Sequence, residues 1–229
     1  MLENNPDGIA DYLASPVQMN TEIAYEIGDY GSAMSPYYIM LALFVGSLLA
    51  AVMIKVPVTQ PQFLGYRAIE RYFGRFTLFF FVGMAQALVT AFGCLYFVGI
   101  QCVEPARFVL ACCICSLNFA MMNFGLVYAL DNVGMAAAVI IMVIQVAGSG
   151  GSYPIHMLFQ KLYFLMPFHY GMDMIRETIG GMYGHTYRNC ALILLGMCVI
   201  FTVFGLLVYY PARRLNAAIA ESKKRSGIM

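Results

Sequence analysis

GSGGSYPIHMLFQKLYFLMPFHYGMDMIRETIGGMYG, residues 148–184, lies between two long apolar segments and is itself neither a soluble loop nor a membrane span. Gly148, Gly150 and Gly151 open backbone conformations closed to other residues, and Pro154 suits the first turn of a helix. Ile155, Leu158, Phe159, Leu162 and Met166 then follow at helical spacing, with His156, Gln160 and Lys161 off that stripe. The pattern predicts an amphipathic helix of about three turns at a membrane interface. Pro167 breaks it. A second short helix is predicted over 168–179, with Asp173, Arg176 and Glu177 on its polar side and Gly180 and Gly181 ending it. The whole stretch, with its hairpin at 151–184, reads as a pair of short helices folding back into the membrane surface.

Composition supports a membrane setting. Of 229 residues, 61% are hydrophobic and 11% charged, and mean hydropathy is +0.74. A soluble domain of this size carries about 25% charged residues. An integral membrane protein forming one bundle is expected. Net charge is +1, so no global field points to nucleic acid. Most of the seven cysteines lie inside apolar runs without a metal-type CxxC pair, and read as small packing residues. Cys102 and Cys190 fall near one predicted surface and are the pair that could bridge.

Working outward from the glycine-rich stretch, five spans are predicted, at about 37–54, 76–100, 108–130, 133–150 and 190–210. Pro211 is expected to end the last. The fourth is short for a crossing of about 30 Å and must run into the glycines. Residues 1–36 hold six acidic residues and no Lys or Arg, and are expected to be extended or irregular, outside the membrane, and without a cleavable signal peptide. Gly46 with Ala50, and Gly134 with Ala138, offer small faces for close helix contact. Gln86, Asn118, Asn123 and Gln145, with Ser116, fall inside apolar segments. Lipid supplies no hydrogen bonds, so each must find a partner, either on another helix or along a substrate path.

Between the first two spans, Arg67, Arg71 and Arg75 recur every four residues and predict a short basic helix on the membrane surface, separate from the span that follows. It serves either as a solvated, topology-setting loop or as a docking element. Placing this loop and the 211–229 tail on one side gives that side nine Lys/Arg: Lys55, Arg67, Arg71, Arg75, Arg213, Arg214, Lys223, Lys224 and Arg225. The other side has four: Arg107, Lys161, Arg176 and Arg188. The positive-inside rule then puts the N-terminus and the 148–184 stretch outside and the C-terminus in the cytoplasm. The fold class expected is an all-α membrane protein of five transmembrane helices plus an extracellular re-entrant helical hairpin.

Three blocks resemble a known family. LASPVQ at 13–18 with YGSAMSPYYIMLALFVGSLL at 30–49, RAIERYFGR at 67–75, and SGGSYPIHMLFQKLYFLMPFHYGMDMIRETIGG at 149–181 resemble the YhgE/Pip (phage infection protein) family, in the ABC-2 type transporter superfamily. The resemblance implies a permease-like membrane domain in the bacterial cell membrane, matching the last part of a longer architecture. It implies a homo- or hetero-dimer and an ATPase or secretion-machine partner. It makes Arg67, Arg71 and Arg75 candidates for cytoplasmic coupling, and Gly150, Gly151 and Pro154 candidates for shaping an outer gate. It also admits a non-transporting scaffold or surface protein, as an accessory of type VII secretion or in phage adsorption.

Catalytic motifs are not seen. GxxxxGK[ST], HExxH and GxSxG do not occur. His169 and Asp173 stand four apart on one helical face, a spacing compatible with metal, but read as interfacial polar residues. Arg176 and Glu177 read as surface or capping charges. Neither enzymatic activity nor a cofactor is expected.

Overall fold

In the computed structural model, residues 27–54, 56, 67–148 and 165–225 are described; side-chain detail is given as far as 212, except at 210. They form six helices: α1 Tyr30–Met53, α2 Ala68–Phe92, α3 Pro105–Leu130, α4 Asn132–Gly148, α5 Pro167–Gly180 and α6 Thr186–Arg225. α2 continues through a π-helical turn, Gly93–Val98. No strand occurs among the described residues. Tyr30–Met53, Ala68–Val98, Pro105–Leu130 and Thr186–Tyr209 are each long and apolar enough to cross a membrane. α4, at 17 residues, is shorter. This is a multi-pass helical membrane protein.

α3 is the axis of the bundle. It packs against all five other helices, and 67% of its apolar window is buried, against 22% for α2 and α6. The outward faces of α2 and α6 carry exposed Phe81, Val89, Phe97, Leu192, Val199 and Leu207, which is how a surface solvated by lipid reads.

Glycines set the closest approaches. A Cβ on Gly134 would run into the Leu126 carbonyl, closing α4 tightly onto α3. Gly125 and Gly205 mark the crossing of α3 and α6; a Cβ on Gly205 would stand 3.1 Å from the Gly125 Cα. Gly46 makes room for the Gln86 amide, and Gly171 for Met40 and Cys115.

The ends of the bundle are defined by contacts between segments. At the Tyr30 end, the Gly28 N–H donates to Gln101 Oε1 (3.0 Å). The Gln101 N–H donates to Ser32 Oγ (3.0 Å), and the Tyr187 hydroxyl to the Arg107 carbonyl (2.9 Å). The opposite end holds the α3–α4 turn at Asp131, the start of α2 and the end of α1.

Three expectations are corrected. The 30–36 segment is helical, so α1 begins seven residues before the predicted span. Pro36 sits inside it, and the Ser32 carbonyl that Pro36 cannot bond is taken by the Ser35 hydroxyl (2.8 Å). The basic segment is not a separate surface helix. Arg71 and Arg75 lie in the first turns of α2, continuous with the span, and the Glu70 carboxylate caps that helix by accepting the Arg67 N–H (3.0 Å). Pro211 does not end the last helix, which runs on to Arg225. The sequence beyond it, rich in Ala, Arg and Lys, favours helix strongly enough to absorb one lost bond. The seven cysteines are free thiols, so Cys102 and Cys190 are not bridged.

Candidate functional site

α5 and the buried polar groups around α3 are the parts of the bundle that packing alone does not require. α5 starts on Pro167, in the first helical turn where its missing N–H costs nothing. Phe168 meets Phe119 (centroids 6.3 Å apart) and Tyr37 (5.9 Å). Gly171 lies against Met40 and Cys115. At the far end the Thr178 carbonyl accepts the N–H groups of Val103 (3.0 Å) and Glu104 (3.2 Å), and the Cys102 thiol at 3.4 Å. Burial raises that thiol's pKa. α5 therefore runs from beside Phe119, near the middle of α3, to the Tyr30 end, where α3 begins.

The exposed strip of α5 is narrow. Arg176 pairs with Asp173 (3.2 Å), and the Glu177 carboxylate accepts the Tyr183 N–H (2.6 Å), tying down the turn after the helix. His169 is buried, its Nδ1 2.9 Å from the Met166 carbonyl. Among the described residues no group of three or more His, Cys, Asp or Glu is arranged to hold a metal ion.

The intramembrane amides each reach another helix. Gln86 on α2 donates to the Ala42 carbonyl of α1 (2.8 Å). Asn118 on α3 donates to the Leu194 carbonyl of α6 (2.7 Å) and lies 3.5 Å from the Cys198 sulfur. Asn123 donates to Ser47 Oγ on α1 (2.6 Å), and Ser47 donates in turn to the Phe44 carbonyl (2.8 Å). Gln145 on α4 has only a long contact, 3.9 Å, to the Met122 sulfur. Ser116 bonds the Gly83 carbonyl (2.7 Å), which is reachable because Gly83 has no side chain. Asn118, Asn123 and Gln145 are spread around α3 and α4, and Gln86 is apart from them. Asn118 Oδ1, Asn123 Oδ1 and Gln145 Oε1 are buried and bond no other protein group.

Of the basic residues, Arg67 is exposed at the start of α2. Arg71 is partly exposed, with its Nε buried and unpartnered, and Arg75 is partly exposed. Gly150, Gly151 and Pro154, and the first predicted hairpin helix, lie outside the described residues. Sequence reasoning missed Ser47, whose hydroxyl folds back on its own helix like many serines in apolar spans. It also missed the aromatic cluster of Tyr72, Phe76, Phe79, Phe124 and Tyr128 at the Asp131 end, closed by Tyr209 stacked on Tyr128 (4.8 Å). Aromatics scattered over three apolar helices carry no mark that they will meet.

The chain is similar to the uncharacterized protein YhgE of Bacillus subtilis (strain 168), 26% identical over 213 residues. The match covers 91% of this chain and 27% of that protein, so the chain spans about a quarter of the length of the curated relative it matches. No family model matches the chain, and no solved structure matches it.

Proposed function

We propose that the chain is the membrane-embedded, permease-like part of an export system of the bacterial cell membrane, working with a separate ATPase or other partner. The observation that carries this reading is α5. At 14 residues it is too short to cross, yet it is packed on α1, α3 and α6 from the middle of α3 to the Tyr30 end. A helix that enters a bundle halfway acts as an end cap on a path, a part that a plain anchor does not need. We read it as the inner arm of a re-entrant hairpin, with α4 as the fifth crossing.

The lysine and arginine count supports an outside Tyr30 end. The resemblance to the YhgE/Pip family and the ABC-2 superfamily agrees with both readings. Arg67, Arg71 and Arg75 are then the docking residues for a cytoplasmic partner. The exposure of Arg67 and the partial exposure of Arg71 and Arg75 support that role, since a partner's carboxylates can approach them. Gly150, Gly151 and Pro154 would shape the turn of the hairpin. The exposed apolar faces of α1, α2 and α6 are available to lipid and to a second subunit. The chain is not assigned an enzymatic activity or a cofactor.

A second reading is a non-transporting scaffold or surface protein. The close glycine-mediated contacts of α3 with α4 and α6 favour it, because they suit a rigid anchor. Affinity purification in mild detergent separates the two. Co-purification of an ATPase, lost when Arg67, Arg71 and Arg75 are changed to Glu with topology intact, supports the permease. Recovery without an ATPase, and unchanged export on deletion, would sink it.

A further inference from the structure

Two arginines of α2 stand on a stripe that continues as apolar surface. Arg71, Arg75, Leu78, Val82 and Val89 recur at helical spacing and share one face. Leu78, Val82 and Val89 are exposed, and Arg71 and Arg75 partly so. The adjoining stripe of Tyr72, Phe76, Phe79 and Gly83 is buried against α3 instead. Gln86 shows which neighbour the arginine flank looks toward. It lies three helical turns beyond Arg75 on the same flank, and reaches over Gly46 to the Ala42 carbonyl of α1 (2.8 Å). The face of α1 that carries Ala42 and Gly46 continues into Leu49 and Met53, which are 54% and 82% exposed. Toward the Arg67 end, α1 and α2 thus present two neighbouring apolar strips, and the strip on α2 ends in arginines.

The length of the helix sets their depth. Tyr96 and Phe97 stand exposed at its far end, where it closes in the π-helical turn, as aromatic residues do at a membrane interface. About 20 residues cross a hydrocarbon core of about 30 Å, and that length leads back from Tyr96 to Phe76. Arg75 is then at the edge of the hydrocarbon, and Arg71 about 6 Å further out, among lipid phosphates. Arg67, about 12 Å beyond Arg75, is in water. Glu70, the acid in this turn, accepts the Arg67 N–H (3.0 Å) and stands about 100° or more round the helix from both arginines.

We propose that Arg71 and Arg75 hold the headgroup phosphate of a phospholipid of net negative charge, whose acyl chains lie along Leu78 and Val82 of α2 and Leu49 and Met53 of α1. Guanidinium forks match phosphate oxygens bidentately. Two cations favour a headgroup with uncompensated negative charge over a zwitterionic one, which carries its own ammonium beside the phosphate. Arg67 is left to dock a partner in water, with the lipid bound beside it. The assignment holds whether or not the protein transports anything, and whichever side of the membrane the Arg67 end faces.

Native mass spectrometry of the full chain tests it, with the protein purified in mild detergent and offered phosphatidylglycerol and phosphatidylcholine in equal amounts. No partner is present, so the outcome stands apart from the export reading. Phosphatidylglycerol is expected to be retained at least several-fold more than phosphatidylcholine, and that excess to fall several-fold in Arg71→Gln and in Arg75→Gln. Arg67→Gln, which removes the same charge farther from the lipid, is expected to keep it. Equal retention of the two lipids by the unaltered chain overturns the proposal without recourse to any variant. An excess untouched by the Arg71 and Arg75 substitutions also overturns it, and leaves both arginines to a protein partner. An excess that all three substitutions reduce alike overturns it as well, because the attraction is then general to the basic end. Displacement of the bound lipid by inorganic phosphate at matched concentration overturns the lipid assignment in favour of a small-anion site.

Discussion

Asp131 turns the chain between α3 and α4 at φ 50, the one described non-glycine residue with positive φ. Glycine holds that conformation without a Cβ penalty, so Asp131→Gly is expected to stabilise the protein by about 1 kcal/mol, read from the unfolding midpoint in detergent. Gly134, three residues on, gives the opposite outcome. Gly134→Ala drives a Cβ into the Leu126 carbonyl, backbone that cannot step aside, and is expected to cost about 2 kcal/mol. The same substitution at Gly74, where a Cβ meets nothing within 4 Å, should gain about 0.5–1 kcal/mol from helix propensity. If the two alanine variants shift the midpoint in the same direction, the close α3–α4 contact is not what holds that hairpin together. The Gln86 amide fills the space above Gly46, so Gly46→Ala and Gln86→Ala should be strongly non-additive in a double-mutant cycle.

Helix boundaries depended on what neighbouring groups do. α5 was readable because Pro167 and Gly180–Gly181 punctuate it, and its observed limits differ from the predicted ones by a residue at each end. α1 and α6 were read too short because each contains a proline that looks like a terminator. At Pro36 the freed carbonyl finds the Ser35 hydroxyl, a local repair visible only once the backbone is in place. α2 was divided at Phe76 because arginines look extramembranous, yet a helix has no reason to break where its side chains merely change character. The sequence marked α5 as part of a stretch folding back into the membrane surface, but not which helices would bury it. Its sequence marks an amphipathic helix, but burial of Phe168, Met172 and Ile175 comes from four separate segments converging. Phe168→Ala is expected to cost about 3 kcal/mol through the cavity it leaves. Hydrogen exchange should accelerate mainly in α5 and the 102–104 segment tied to Thr178. Uniform acceleration across all helices would mean that α5 is not a separate unit of stability.

For the molecule as a whole, the membrane character was legible from composition, and the polar residues inside spans announced contacts between helices. Which helix each would reach was not, because Asn118 and Asn123 point to α6 and α1 from the same stretch of α3. Orientation is open to direct measurement. Cysteines placed at the exposed positions His185 and Arg67 should label from opposite sides of sealed cells, His185→Cys without permeabilisation and Arg67→Cys only after it. Background should be low, since the native thiols are buried or half-buried and Cys102, with its raised pKa, holds little thiolate near pH 7. Labelling of both positions from the same side would contradict the placement of Arg67 and His185 at opposite ends of the bundle.

α6 continues as one helix from Thr186 through Arg225, and it crosses α3 where Gly125 and Gly205 touch. Beyond that crossing the helix is a lever arm. From Gly205 to Arg225 the helix extends about 30 Å, so a bend of about 10° just past the glycines swings the far tip by about 5 Å. The 186–205 arm is held to α3 by the Asn118–Leu194 and Tyr187–Arg107 hydrogen bonds, so the motion this geometry leaves open is a bend beyond the glycines, and even a small one displaces the tip by a distance that another protein could sense or impose.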